Sequence, residues 1–298
     1  MEIRGLLPVI PTPILDHRFD ALSLERLLDH FLDELDGYTL LGSTGEAPSL
    51  TTQERMEIAA VALSMTPSDK TAVIGVSHTC AADTIALARH AQDNGAKAVL
   101  CSAPYYFQNS ASGVLAYLHE LDEVLDIDLV LYDNPQSTKT VLDAATVVRW
   151  AQELEHLGTV KLTDHNLDKI AIWHDAGLRV LAGDDPIVFR YLAAGVDGAM
   201  VIAPAIFPTA FRAAWDLLRQ GDLTRAFDVL AHQVFPFSHV FGIGDEVATT
   251  KALLADIGVF TSDEVRPPLQ SVDSKRRALL RMAYDNSRSF ALGSPSVS

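Results

Sequence analysis

A chain of 298 residues, 48% hydrophobic and 21% charged, can bury a large core, as one large α/β domain or two ordinary ones. Its formal net charge of −16 argues against nucleic acid and against an acidic membrane surface as partners, while a small anionic substrate held by local donors stays open. Cys80 and Cys101 form neither a disulfide framework nor a metal knuckle, and both read as small core fillers in a protein of a reduced cytoplasm. No apolar run approaches the ~20 residues needed to span a bilayer, and the first residues carry no leader-like pattern.

Along the chain, short β-rich runs alternate with helical periodicity. Strands are expected at residues 7–14, 38–42, 71–77, 96–103, 127–132, 159–162, 179–183 and 198–203. Several are almost continuously apolar, as parallel strands covered on both faces must be. Amphipathic segments such as 23–35, 53–65, 81–94 and 144–154 lie between them. Eight such units predict a (β/α)8 barrel over residues 1–221, with reactive groups on the loops at the strand C-termini. An open doubly wound sheet is the alternative, but no Gly-x-Gly-x-x-Gly follows any of these strands. Residues 222–298 read differently: helices at 223–234, 246–257 and 274–286 form a three-helix appendage packed on one side, ending in a frayed tail at 293–298.

The sixth strand contains Lys161, in Gly158-Thr159-Val160-Lys161-Leu162-Thr163, one of only seven lysines. Burial disfavours an ammonium and leaves more of the amine neutral and nucleophilic, the property needed to form a Schiff base with a carbonyl. A lysine snorkelling to the strand end, or paired with Asp164, is the plainer reading of this residue alone. Other strand ends converge on the same mouth. Gly42-Ser43-Thr44-Gly45-Glu46 follows the second strand and can present backbone N–H groups as a nest for a carboxylate, or serve as an ordinary turn before a helix. Pro104-Tyr105-Tyr106 follows the fourth strand, Tyr132-Asp133-Asn134-Pro135 the fifth and Gly183-Asp184-Asp185 the seventh.

Three of these motifs, in this order, carry a resemblance: Gly42-Ser43-Thr44-Gly45-Glu46, Tyr132-x-x-Pro135, and Lys161 about 30 residues after that tyrosine. The chain resembles, over essentially its whole length, the pyruvate-dependent class I aldolases and lyases, which include dihydrodipicolinate synthase, N-acetylneuraminate lyase and 2-keto-3-deoxy-sugar-acid aldolases. The resemblance implies that Lys161 forms an imine with pyruvate or another 2-oxo acid. Ser43, Thr44 and Gly45 would hold its carboxylate. Tyr132 would act as general acid/base, and Tyr106 would reach across from a neighbouring subunit to complete a relay with Ser43. It further implies a homotetramer built as a dimer of dimers, an aldehyde as second substrate, and no metal or organic cofactor.

Departures from the synthase pattern narrow the substrate. Ser137 stands where the synthases carry an arginine for the aldehyde's carboxylate; Lys139 could replace it only as a point charge two residues on. Thr163 matches the lyases, in which that threonine meets a substrate hydroxyl. The eighth strand, Gly198-Ala199-Met200-Val201-Ile202-Ala203, is apolar and would leave the hydroxyls of a long polyol without partners, at ~1–3 kcal/mol each. Thr163, Gly183 and Met200 are therefore expected to bind a 2-keto-3-deoxy-sugar-acid or an aldehyde with an apolar or aromatic part. A dehydratase or hydratase-aldolase working through the same imine is a close neighbour, and dihydrodipicolinate synthase itself is the alternative. Asn134 either contacts substrate or closes the turn before Pro135, a role to which Asp133 is also assigned. His78 and His165 read as loop residues near the mouth, and Asp184 and Asp185 as pocket floor. With Asp184, those histidines are the only candidate metal ligands, and they lack ligand spacing. A catalytically silent 2-oxo-acid-binding relative is the reading from a different functional class.

Overall fold

The computed structural model describes residues 3–238 and 245–288. Eight parallel strands form the barrel: β1 (Gly5–Leu6), β2 (Gly37–Leu40), β3 (Thr71–Gly75), β4 (Ala98–Ser102), β5 (Asp128–Asp133), β6 (Leu157–Leu162), β7 (Arg179–Ala182) and β8 (Gly198–Ala199). β1 pairs with β8, the ladder then runs in order back to β2, and a parallel bridge between Val9 and Thr39 closes the ring. Gly5 and Gly198 pair so closely that a Cβ on Gly198 would lie 2.1 Å from the Gly5 carbonyl oxygen. β4 is buried at every residue, because barrel side chains cover one face and helices the other.

The surrounding helices are α1 (Ala21–Phe31), α2 (Thr52–Ser64), α3 (Ala81–Asp93), α4 (Ala111–Asp122), α5 (Ala144–Glu153), α6 (Asp168–Asp175), α7 (Val188–Ala193) and α8 (Pro208–Arg219). Their starts are written in local chemistry. Asp20 and Asp143 cap α1 and α5, and Thr51 with Glu54 forms a reciprocal capping box on α2. Beyond the barrel lie α9 (Leu223–Gln233), α10 (Glu246–Asp256) and α11 (Ser274–Arg288), with a single turn at Phe235–Ser238. The expected tail at 293–298 lies outside the described residues.

Six strands match their expected extents to within two residues at each end, and the first and eighth do not. The first was placed at 7–14, but regular pairing is confined to Gly5–Leu6 and continues only as isolated bonds from Leu7, Val9 and Ile10. Pro8, Pro11 and Pro13 have no N–H to donate, so no continuous ladder can form, and Ile14 instead begins a two-residue hairpin arm paired with Arg18–Phe19. The eighth strand stops at Ala199 rather than 203, because the Asp185 carboxylate captures the N–H groups of Ile202 and Ala203 at 2.7 and 2.8 Å. Of the two cysteines Cys101 is buried as expected, whereas Cys80 is exposed at the start of α3.

The C-terminal helices do more than pack on one side. Ser238, Glu246 and Val247 form part of the wall of the cavity at the barrel mouth. Val229, Leu230, Leu254 and Leu280 belong to the same contiguous apolar core as the barrel helices. Among the described residues no helix is long and apolar enough to cross a membrane. Replacing the fully buried Leu230 by alanine is expected to cost about 2–5 kcal/mol and to shift one unfolding transition, followed by tryptophan fluorescence of the barrel residue Trp173. Separate transitions would show that α9 is energetically independent of the barrel.

Candidate active site

The parallel register of β5 and β6 sets Tyr132 directly beside Lys161. Lys161 is 4% exposed, and its Nζ lies 4.1 Å from the centroid of the Tyr132 ring. The carboxylate that could have neutralised it, Asp164, is held by Lys169 at 2.7 Å instead. The Lys161 amine thus faces an aromatic ring inside the barrel, not an ion-pair partner on its surface.

A cavity of about 430 Å³ opens over this pair, lined among others by Ser43, Thr44, Tyr132, Asn134, Lys161, Thr163 and Gly183. A second lobe of about 400 Å³ shares Ser43, Tyr132, Asn134, Ser137 and Val247 with it and extends under Leu41, Ala47, Leu100 and Tyr105. The structure therefore brings together Lys161, Tyr132, Ser43, Thr44, Thr163, Asn134 and Gly183, as the sequence reading expected.

The loop after β2 is built by local geometry. Leu41 and Glu46 bracket it with left-handed backbone, at φ of 60° and 57°. Glu46 and Ala47 donate back to the carbonyls of Ser43 and Gly42, folding the segment into two overlapping turns. Gly45 is sterically required: a Cβ there would lie 2.8 Å from the Leu41 nitrogen, and its carbonyl accepts the Thr12 hydroxyl at 2.7 Å. Thr163 donates through Oγ1 to the Asp133 carbonyl at 2.6 Å, which leaves the hydroxyl's lone pairs toward the cavity. Gly183 is needed because a Cβ there would approach Thr163 Cγ2 to 2.6 Å.

Two other expectations, those for Met200 and Asp133, are corrected, and the remaining candidates are placed as follows. Met200 is fully buried and does not line the cavity; Ile202 does, once the chain has left β8. Tyr106 is 74% exposed, at φ 86°, and stacks edge-on against Phe107 outside both lobes, while Tyr105 is the tyrosine of that loop that lines a lobe. Asp133 does not close a turn: it is buried on β5 and pairs with Lys169 at 2.7 Å. Asn134 does close the turn, its Oδ1 accepting the Ser137 N–H at 3.2 Å, while also lining the cavity. His165 lines the cavity and contacts Asp184 at 3.0 Å; His78 lies outside it, accepting the Cys80 N–H. Among the described residues no group of three His, Cys, Asp or Glu side chains could hold a metal ion.

One supporting pair carried no recognisable sequence signal. Glu46 forms a fully buried ion pair with Lys251 of α10, and its other oxygen accepts the Arg266 N–H at 2.6 Å. Burial holds the Lys251 ammonium below its usual range, outweighing the opposing pull of Glu46. The partners are some 200 residues apart, so only the fold pairs them. Lys251→Met leaves the Glu46 charge uncompensated and is expected to lower stability by about 3–5 kcal/mol, with Glu46→Gln in the same chain recovering part of the loss in denaturant titrations.

The buried Asp185 carboxyl ties stability to pH. Burial pushes its carboxyl up to about 6, against the lowering effect of the Ile202 and Ala203 N–H groups and of Lys161. A raised folded-state value favours the fold in the neutral form. The contribution is complete below the ordinary value of 3.8 and is lost as pH rises through about 6. The unfolding free energy of wild type minus that of Asp185→Asn is therefore expected to fall between pH 4 and 7, by at most about 3 kcal/mol. A flat difference would refute the assignment.

A family model for the dihydrodipicolinate synthetase family matches residues 2–285. The 4-hydroxy-tetrahydrodipicolinate synthase of Methanocaldococcus jannaschii is 26% identical, over 93% of this chain and 96% of the relative. The enzyme of that name from Chlorobium luteolum is 30% identical, over 76% of this chain and 78% of its own. Among solved structures, dihydrodipicolinate synthase from Thermotoga maritima superposes with a TM-score of 0.90 at 25% identity, covering 96% of this chain and 98% of that one. The Escherichia coli K12 prophage protein YagE, solved in complex with pyruvate, gives 0.88 at 25% identity over 96% and 98%. With its barrel, its strand-end motifs and a match over nearly the entire length, the chain belongs to the dihydrodipicolinate synthetase family and is a lyase of the class I aldolase type.

Proposed function

We propose that the chain condenses pyruvate, or another 2-oxo acid, with Lys161 and makes or breaks a carbon–carbon bond through the resulting imine. The observation that carries this reading is the buried Lys161 Nζ, 4.1 Å over the Tyr132 ring and in one cavity with Ser43 and Thr44. The neutral amine adds to the keto carbon and water leaves; the protonated imine nitrogen then serves as the electron sink for bond formation or cleavage. Ser43 and Thr44, on the turn after β2, hold the carboxylate. Tyr132 passes the proton between the reacting atoms, a task for which a phenol needs hydrogen-bonded help at neutral pH. An exposed, backbone-strained Tyr106 has no task within its own chain, which supports a homotetramer in which it serves a neighbour.

The second substrate divides two readings. The names of the relatives favour the synthase reaction, with an aldehyde carrying its own carboxylate. The composition of the cavity favours an uncharged hydroxylated or partly apolar aldehyde, as in a 2-keto-3-deoxy-sugar-acid aldolase. Asp184, Asp185 and Glu246 line it, no arginine does among the described residues, and Ser137 offers a neutral hydroxyl. An anionic aldehyde there would meet carboxylates in place of a guanidinium fork.

Borohydride reduction with pyruvate is expected to add one reduced pyruvyl group to the intact protein and none to Lys161→Ala. Absence of an adduct on the wild type would remove the imine reading and leave a silent binder. With the adduct in hand, turnover of pyruvate with aspartate semialdehyde would establish the synthase reading, whereas turnover only with glyceraldehyde-type acceptors would establish the sugar-acid one.

A further inference from the structure

Resting on the imine reading, we propose that the buried Asp133–Lys169–Asp164 bridge is a positioning device that holds Tyr132 and Thr163 for proton transfer at the carbon beside the imine. Lys169 lies on α6, and its Nζ sits 2.7 Å from a carboxylate oxygen of Asp133 and 2.7 Å from one of Asp164. The side chains of Lys169 and Asp133 are 4% and 0% exposed, and that of Asp164 is 24% exposed. Asp133 immediately follows Tyr132, and Asp164 immediately follows Thr163. One ammonium therefore grips the chain just beyond two residues of the cavity wall.

The geometry couples this grip to the site. Successive side chains on a strand point to opposite faces, so Tyr132 faces Lys161 inside the barrel while Asp133 points out to the helix layer. Fixing the outward carboxylate fixes the strand end that aims the inward phenol. The Asp133 carbonyl also accepts both the Thr163 N–H at 3.2 Å and its hydroxyl at 2.6 Å. Tyr191 donates to the Asp164 carbonyl at 2.9 Å, holding the same loop from α7.

Stability alone gives little reason for this bridge. Well-packed apolar residues often replace a buried ion pair at no loss, whereas removal of one partner leaves an unpaired buried charge. Burial pushes the Asp133 carboxyl above its usual range despite the Lys169 ammonium beside it. Without Lys169, the Asp133 carboxylate must take up a proton or move toward water, and either displaces the end of β5. How much imine accumulates at equilibrium rests on Lys161 and on the hold of Ser43 and Thr44 on the carboxylate, whereas the rate of proton exchange rests on where Tyr132 is held.

Pyruvate alone separates these steps. Once Lys161 has added to the keto carbon and water has left, a C3 proton passes to the base, its electron pair forms the C2–C3 double bond, and the imine π pair moves to nitrogen. In D2O a deuteron returns to C3, so loss of the pyruvate methyl signal in proton NMR reports the proton transfer, while borohydride trapping reports the imine. In Lys169→Met, trapping is expected to stay within about twofold of wild type while exchange slows by about tenfold, a fraction of what a positioned acid/base contributes. Asp164→Asn, at the solvent-facing end of the bridge, should slow exchange by about threefold and serves if Lys169→Met does not fold. Adding Asp133→Asn to Lys169→Met should cost little more, because both remove one unit. An exchange-to-trapping ratio that stays constant in both single variants would overturn the bridge's role, as would parallel loss of both signals with melting. Failure of the wild type to trap pyruvate would overturn the imine reading itself and the bridge's role with it.

Discussion

A buried amine set against a tyrosine ring inside a closed barrel is the arrangement around which the rest of this molecule is organised. The closed (β/α)8 scaffold, its interior filled by side chains, buries this strand residue. The parallel pairing of β5 with β6 then decides what the amine meets: Tyr132 stands at the partner position of Lys161. A register shift of one residue would turn Lys161 out to the helices, where Lys169 and Asp133 now sit.

Charge is distributed around this site in an ordered way. Asp164, the carboxylate nearest in sequence to Lys161, is taken up by Lys169, and Glu46 of the nest-like turn is taken up by Lys251. Both bridges tie the loop ends to the outer helices, the first just behind the cavity wall and the second from Glu46 at the edge of the second lobe. Within a chain whose overall charge is strongly negative, two of the seven lysines, Lys169 and Lys251, neutralise buried carboxylates near the site. The cavity wall itself keeps Asp184 and Glu246. The wall thus combines residues at the barrel strand ends with Glu246 and Val247 from α10.

Much of the architecture was legible from local patterns. Continuously apolar runs identified the strands and apolar periodicity the helices between them, because both signals depend on neighbours within a few residues. Lys161, Tyr132, Ser43, Thr44, Thr163 and Gly183 could be placed at one mouth because every strand of a parallel barrel ends on the same side. Reading failed where a side chain's fate depended on a distant partner. Asp133 looked like a turn residue until Lys169 was brought against it from α6. Met200 looked like cavity wall until Asp185 drew the chain out of the ladder and put Ile202 there. Tyr106 and Tyr105 are adjacent in sequence, and only the strained turn decides which lines a lobe of this chain's own cavity.

Local patterns in the chain sufficed for the barrel class and for setting Lys161 and Tyr132 at strand ends on one mouth, because periodicity and strand-end placement are local properties, while the roles proposed for the two residues came from the resemblance of their motifs. Tertiary structure alone decided the paired charges of Glu46 with Lys251 and of Asp133 with Lys169, the steric purpose of Gly45, and the part that α10 plays in the cavity wall. These depend on contacts between segments tens to hundreds of residues apart, and the burial that gives each its energetic weight exists only once the chain has closed around it.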